Sequence, residues 1–195
     1  MAISVRLPPI GHVEVATAEG APDLDVAFRA IFDAELDYVW TNLRRFGVPE
    51  RDVEDVAHEV FLRILHRMGE LDPTRPVRPW LFGFTYRVAS DYRRLARHRR
   101  ERHVDDADSE PVDSTPPADE QLHARDAKRL VARALLALDL DKRAVFIAHD
   151  LEEQPAREIA EHLGIPLFTV YSRLRVARER FVQAVQQLSA NRGPQ

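Results

Sequence analysis

The 195-residue sequence contains no cysteine, which excludes a disulfide framework and any thiolate metal site. Its seven glycines are scattered, so no glycine-rich phosphate loop is present. No run approaches the roughly 18 consecutive apolar residues needed to span a bilayer. The opening Met1-Ala2-Ile3-Ser4-Val5-Arg6-Leu7-Pro8-Pro9 lacks the charged start and apolar core of a signal peptide, so a cytoplasmic protein is expected. Alternation of strand type is confined to Val13–Val15. The eight histidines show no ligand spacing. His58-Glu59 would begin a zinc-binding helix motif only with a second histidine at 62, where Leu62 stands. With no nucleophile–base set or paired carboxylates either, neither an enzyme nor a bound cofactor or metal is expected.

The charge is unevenly placed. The formal balance is −4 overall, but residues 101–120 hold eight acids and one base, so the rest of the chain carries +3. Arg93, Arg94, Arg97, Arg99 and Arg100 fall within eight residues just before this acidic block. Such a split sets local fields that the total conceals.

Periodicity predicts an all-α protein of two small helical domains on a flexible acidic tether. Residues 1–22 carry Pro8, Pro9, Gly11, Gly20 and Pro22 and read as a loose extension. The first domain is expected over 23–100. In it Phe28, Phe32, Leu36, Val39, Leu43 and Phe46 share one helix face, and Gly47 stops that helix. Val53, Val56, Ala57, Val60, Phe61, Ile64, Leu65 and Met68 mark a second helix, opened by Pro49. Pro73, Pro76 and Pro79 predict a stiff loop before a third helix from about Trp80 to Arg97. Residues 101–120 read as linker. The helical period returns over 121–188 with Leu130, Ala134, Leu135, Leu138, Val145, Ile147 and Ala148, and 189–195 form a tail.

Two constellations carry chemistry. The first runs from Arg157 to Leu174. Ala160 permits a close helix crossing, and Gly164 supplies a left-handed helix end. Ile165 plugs the corner and Pro166 opens the next helix. Val170, Leu174, Ala177 and Phe181 make its buried stripe, leaving Phe168, Thr169, Tyr171, Ser172, Arg173, Arg175 and Arg178 for the other faces. Hydroxyls and guanidiniums on such a helix suit a helix-turn-helix reading a major groove. Arg173 and Arg175 lie about 200° apart around the helix, so only one faces base edges. The buried stripe makes Arg175 the base reader and Arg173 a phosphate contact.

The second constellation places Trp80, Phe82, Phe84, Tyr86 and Tyr92 within thirteen residues, directly before the arginine cluster. Leu81, Val88, Tyr92 and Leu95 form the expected inner stripe. The remaining rings beside arginines suit stacking on unpaired bases with guanidiniums on phosphates.

Three segments together resemble an alternative sigma factor of the extracytoplasmic-function (ECF) type. They are Asp52-Val53-Glu54-Asp55-Val56-Ala57-His58-Glu59-Val60-Phe61-Leu62-Arg63, Arg78-Pro79-Trp80-Leu81-Phe82 with Arg87 to Arg94, and Thr169-Val170-Tyr171-Ser172-Arg173-Leu174 with Ala177-Arg178. The resemblance spans about 24–100 and 122–188. It implies that Asp52, Asp55, Glu59 and Arg63 dock core RNA polymerase. It also implies that Trp80, Arg87, Arg93, Arg94 and Arg97 melt and hold the minus-ten element, and that the helix after Pro166 reads the minus-thirty-five element. Promoter DNA and core polymerase are the implied partners, and an anti-sigma factor is a partner the family admits. This sequence departs from the family at His58 (often glutamine), at Arg87 (often asparagine), and at Glu152-Glu153-Gln154-Pro155, where a glycine is usual. The alternative is a helix-turn-helix regulator that binds duplex DNA without polymerase. The aromatic helix argues against it, because a duplex reader needs no stacking platform.

Overall fold

A computed structural model describes residues 24–102 and 119–190. The expected N-terminal extension, the Val13–Val15 segment, most of the acidic linker and the tail end fall outside those residues. Every described element is helical, as periodicity predicts.

The first unit comprises α1 (Leu24–Arg45), α2 (Glu50–Leu65), a short 3-10 turn (Met68–Glu70) and α3 (Val77–Arg102). Gly47, at φ 85°, ends α1 in a Schellman arrangement: Val48 N–H donates to the Leu43 carbonyl (3.1 Å) and Gly47 N–H to that of Arg44 (2.9 Å). The α1 stripe is rotated from the expected one. Ile31, Val39 and Leu43 are its buried apolar residues, Phe28, Phe32 and Leu36 are half-buried, and Glu35 and Asn42 are buried among them. The α2 stripe is buried as expected from Val53 to Ile64, whereas Leu65 is exposed and Met68 is buried from the 3-10 turn.

Helix α3 begins earlier than the prolines suggest. Pro79 lies in its first turn, where the missing N–H has no intrahelical role. Leu81 and Val88 are buried as expected and Phe82 is buried beside them, but Leu95 is 56% exposed.

The second unit comprises α4 (Asp119–Leu136), α5 (Leu140–Phe146), a π-helical turn (Ile147–Leu151), α6 (Ala156–Leu163) and α7 (Leu167–Ala190). Gly164, at φ 67°, ends α6, and Ile165 N–H closes back on the Ala160 carbonyl at 3.0 Å. Glu153 also takes a left-handed φ of 56°, which costs a non-glycine residue about 1–2 kcal/mol.

The two units are in contact. α6 packs on α3 and α4 meets α1, and buried side chains of both units join one continuous apolar cluster. Arg143, on α5, is the largest fully buried side chain at 1% exposure. Its guanidinium donates to the carbonyls of Leu138 (2.7 Å), Leu136 (3.0 Å) and Arg45 (3.3 Å), so it caps the C-terminal ends of α4 and α1 together. Helix C-termini are electronegative, which compensates part of the burial of this cation. Burial still pushes its pKa down, to about 10.

Candidate nucleic-acid interface

Helix α7 turns out the side chains that the sequence nominates. Val170, Leu174 and Ala177 are buried against the unit, so the opposite arc faces solvent. Phe168 is 74% and Tyr171 56% exposed, unusual for large rings unless they meet a partner. Ser172 and Arg175 share that arc, and Thr169 is half-buried beside it. Among the described residues Arg175 pairs only with Glu179 one turn on, at 3.0 Å on an exposed surface, an interaction of little worth that a ligand displaces easily.

Its neighbours are differently engaged. Arg173 turns to Asp141 of α5, whose second carboxylate oxygen accepts from the Tyr86 hydroxyl of α3 at 2.8 Å. Burial first, then Asp141, push the Tyr86 pKa up to about 12. Arg178 donates to both oxygens of Asp150, at 2.6 and 2.8 Å, and holds that carboxyl below its usual range.

On α3 the rings divide by depth. Phe82 is core and meets Phe46 edge-on with centroids 5.4 Å apart. Trp80 and Phe84 are half-buried, form a T-shaped pair at 4.8 Å, and line a cleft of about 660 Å³. Arg63, Arg67, Arg75 and Arg87 border the cleft from the first unit; Glu161 and His162 of α6 form its far wall.

The α3 arginines are partly committed. Arg87 donates to the His162 carbonyl at 2.8 Å and lies 5.5 Å from the Phe84 ring centroid. Arg93 is turned inward and donates to the Phe46 carbonyl at 3.0 Å, which makes it a brace for the α1 terminus. Arg94 pairs with Asp91 at 3.3 Å, and Arg97 is exposed.

Helix α2 exposes Asp55 and Glu59. Glu59 pairs with Arg63 at 2.8 Å, and Arg63 also reaches Asp91 of α3 at 2.9 Å, which raises the Arg63 pKa. Asp52 accepts the Tyr92 hydroxyl at 2.6 Å and so fixes α2 to α3.

Comparison with known proteins bears on this arrangement. The family model described as Sigma-70 region 2 matches residues 31–100, and that of Sigma-70, region 4 matches 128–181. The ECF RNA polymerase sigma factor SigL of Mycobacterium tuberculosis is 31% identical over 91% of this chain and all of its own. The chain belongs to the ECF sigma factors. Its function is promoter recognition with RNA polymerase in transcription initiation. The sigma factor NccH of Alcaligenes xylosoxydans xylosoxydans is 30% identical over 73% of this sigma factor and 78% of its own length. Two solved structures share the fold. CnrH in complex with the cytosolic domain of CnrY is 24% identical, with a TM-score of 0.55 over 84% of this chain and 90% of that one. RpoE of Bartonella quintana, with the anti-sigma factor NepR, is 16% identical, with a TM-score of 0.65 over 82% and 97%.

Several residues at the centre of this sigma factor's geometry carry no sequence signal. Arg143 looks like any helix-surface arginine, and Tyr38 and Asn42 lie beside a stripe already explained by leucine, valine and phenylalanine. Glu152 did stand out, as part of the departure from the family pattern.

Proposed function

We propose a division of labour within this sigma factor. Asp52, Asp55, Glu59 and Arg63 on α2 dock core polymerase. Trp80, Arg87, Arg94 and Arg97 on α3 capture the melted minus-ten strand, and Arg93, the fifth residue nominated there, supports that face from behind by bracing the α1 terminus. Phe168, Thr169, Tyr171, Ser172, Arg173, Arg175 and Arg178 on α7 read and clamp the minus-thirty-five element. The observation that carries the reading is the solvent-facing arc of α7, where exposed rings, a hydroxyl and a weakly held arginine stand opposite a fully buried stripe.

The action is binding, with no covalent step: stacking at about 1–3 kcal/mol per base offsets the unpairing of a few base pairs. The protein works where its polymerase does, in the cytoplasm; among the described residues no helix is long and apolar enough to cross a membrane. Because RpoE was solved with an anti-sigma factor, a partner of that class is included for this chain.

The deciding experiment is co-purification with core polymerase, followed by transcription on a promoter library. Asp55→Lys with Glu59→Lys is expected to weaken holoenzyme formation by more than about 1.4 kcal/mol, a tenfold change. Undiminished co-purification of the folded variant removes the α2 assignment.

A further inference from the structure

We propose that this sigma factor holds itself closed, with Glu152 latching the second unit onto α1 while α6 covers the strand-capture face of α3 and leaves the α7 arc open. The masking rests on the strand-capture reading above; the latch stands on its own contacts.

Among the described residues Glu152 is the best-connected carboxylate between the units. It accepts from the Tyr38 hydroxyl at 2.6 Å and the Asn42 amide at 2.9 Å, across 114 and 110 residues of chain. Arg45 stands 3.6 Å away, and Gln154 donates from the latch's own side at 2.9 Å. Each of these partners is a hydrogen-bond donor or a cation, and charge-assisted hydrogen bonds are the strong ones. The backbone is shaped for it: the π-helical turn ends at Leu151, and Glu153 holds a left-handed φ where a glycine would be unstrained.

The second clasp is steric. α6 approaches α3 at Gly83 so closely that a Cβ there would lie 2.7 Å from the His162 carbonyl oxygen. Only a residue without a side chain admits this crossing. The same carbonyl receives Arg87, and Glu161 takes Arg75 in a bidentate pair at 3.1 and 3.3 Å. The second unit thus sets a carboxylate and a carbonyl against guanidiniums that phosphates would otherwise contact. Trp80 and Phe84 face the same wall across the cleft. Phe168 and Tyr171, in contrast, remain in solvent. The closed chain can meet duplex DNA through α7 but cannot stack an unpaired strand on α3 until α6 lifts.

The absence of native cysteine makes the test clean. Dyes on Glu54→Cys and Gln183→Cys, both at exposed positions, report the separation of the units in the full chain by energy transfer. Glu152→Ala removes the latch. Gly83→Ala blocks the crossing while improving the helix propensity of α3, so its effect cannot be blamed on a weakened helix. Each is expected to lower transfer efficiency and to raise affinity for a fluorescent single-stranded minus-ten oligonucleotide about tenfold, with duplex affinity nearly unchanged. Transfer unchanged in both variants overturns the latch. Opened units with unchanged single-strand affinity overturn the masking. If opened variants and parent alike bind no single strand, the strand-capture assignment fails with the masking, while the lowered transfer still upholds the latch.

Discussion

Helices α3 and α7 are each rich in arginine and exposed or half-exposed rings, yet they stand in opposite states. On α7, Phe168, Tyr171 and Arg175 face water, with only a weak surface pair to displace. On α3, Arg87 is tied to α6 and Arg93 to the end of α1, and Trp80 and Phe84 look across a cleft at the second unit. Composition nominates a surface, but the partner packed on it decides availability. Even within α7 the rule holds, because Arg173 and Arg178 answer to Asp141 and Asp150 while Arg175 does not.

The largest effect is expected where the two regions join. Arg143→Met leaves the carbonyls of Arg45, Leu136 and Leu138 without their donor, at about 1–3 kcal/mol for each that water cannot reach. A loss of about 2–5 kcal/mol in denaturant unfolding is expected. A smaller loss would mean that the carbonyls find water and that the joint is looser than drawn.

Next comes the open face. Arg175→Ala is expected to weaken duplex binding by about 1–3 kcal/mol and relax preference at one base pair of the minus-thirty-five element, read by promoter-library selection. Arg173→Ala should weaken binding evenly across sequences, and only in holoenzyme, where the contact to Asp141 is free to exchange for a phosphate. A base preference that follows Arg173 and not Arg175 would reverse the rotation assigned to α7.

A smaller effect is expected along α3 beyond its contact with α6. Arg94, held by one exposed pair to Asp91, and Arg97 are exposed, so each alanine variant should flatten the salt dependence of single-strand binding by about 0.7 in log–log slope. Arg93→Ala should leave that slope unchanged and instead loosen the α1 terminus. Equal slopes for all three variants would restore Arg93 as a phosphate contact.

The smallest effect is that of pH. Burial holds the His162 pKa below its ordinary value, with Arg75 and Arg87 lowering it further and Glu161 and Glu158 opposing. The closed state therefore favours neutral His162. Its stabilisation is complete above the ordinary histidine value of about 6.5 and declines as pH falls below it. Energy transfer between the units should drop modestly between about pH 7.5 and 5.5 in the parent and less in His162→Gln. A rise on acidification would contradict the assigned burial.

The sequence by itself determined the elements. Apolar residues at three-four spacing specify helices whatever they pack against, as from Val53 to Ile64 on α2 and from Val170 to Ala177 on α7. Gly47 and Gly164 fixed two helix ends because their backbone conformations favour glycine. The outward arc of α7 was legible for the same reason: a buried stripe defines its opposite face. Rotation was less secure where a stripe was broad. On α1, Glu35 and Asn42 are buried because Arg78 and Glu152 come from elsewhere to meet them. Leu95, at the expected period, is nevertheless exposed. Only the tertiary structure decided which charges are available. Hydrogen bonds between residues more than a hundred positions apart, as between Tyr38 and Glu152, leave no period in the sequence. Nor does Gly83, which looks like a flaw in a helix until the His162 carbonyl is found against it.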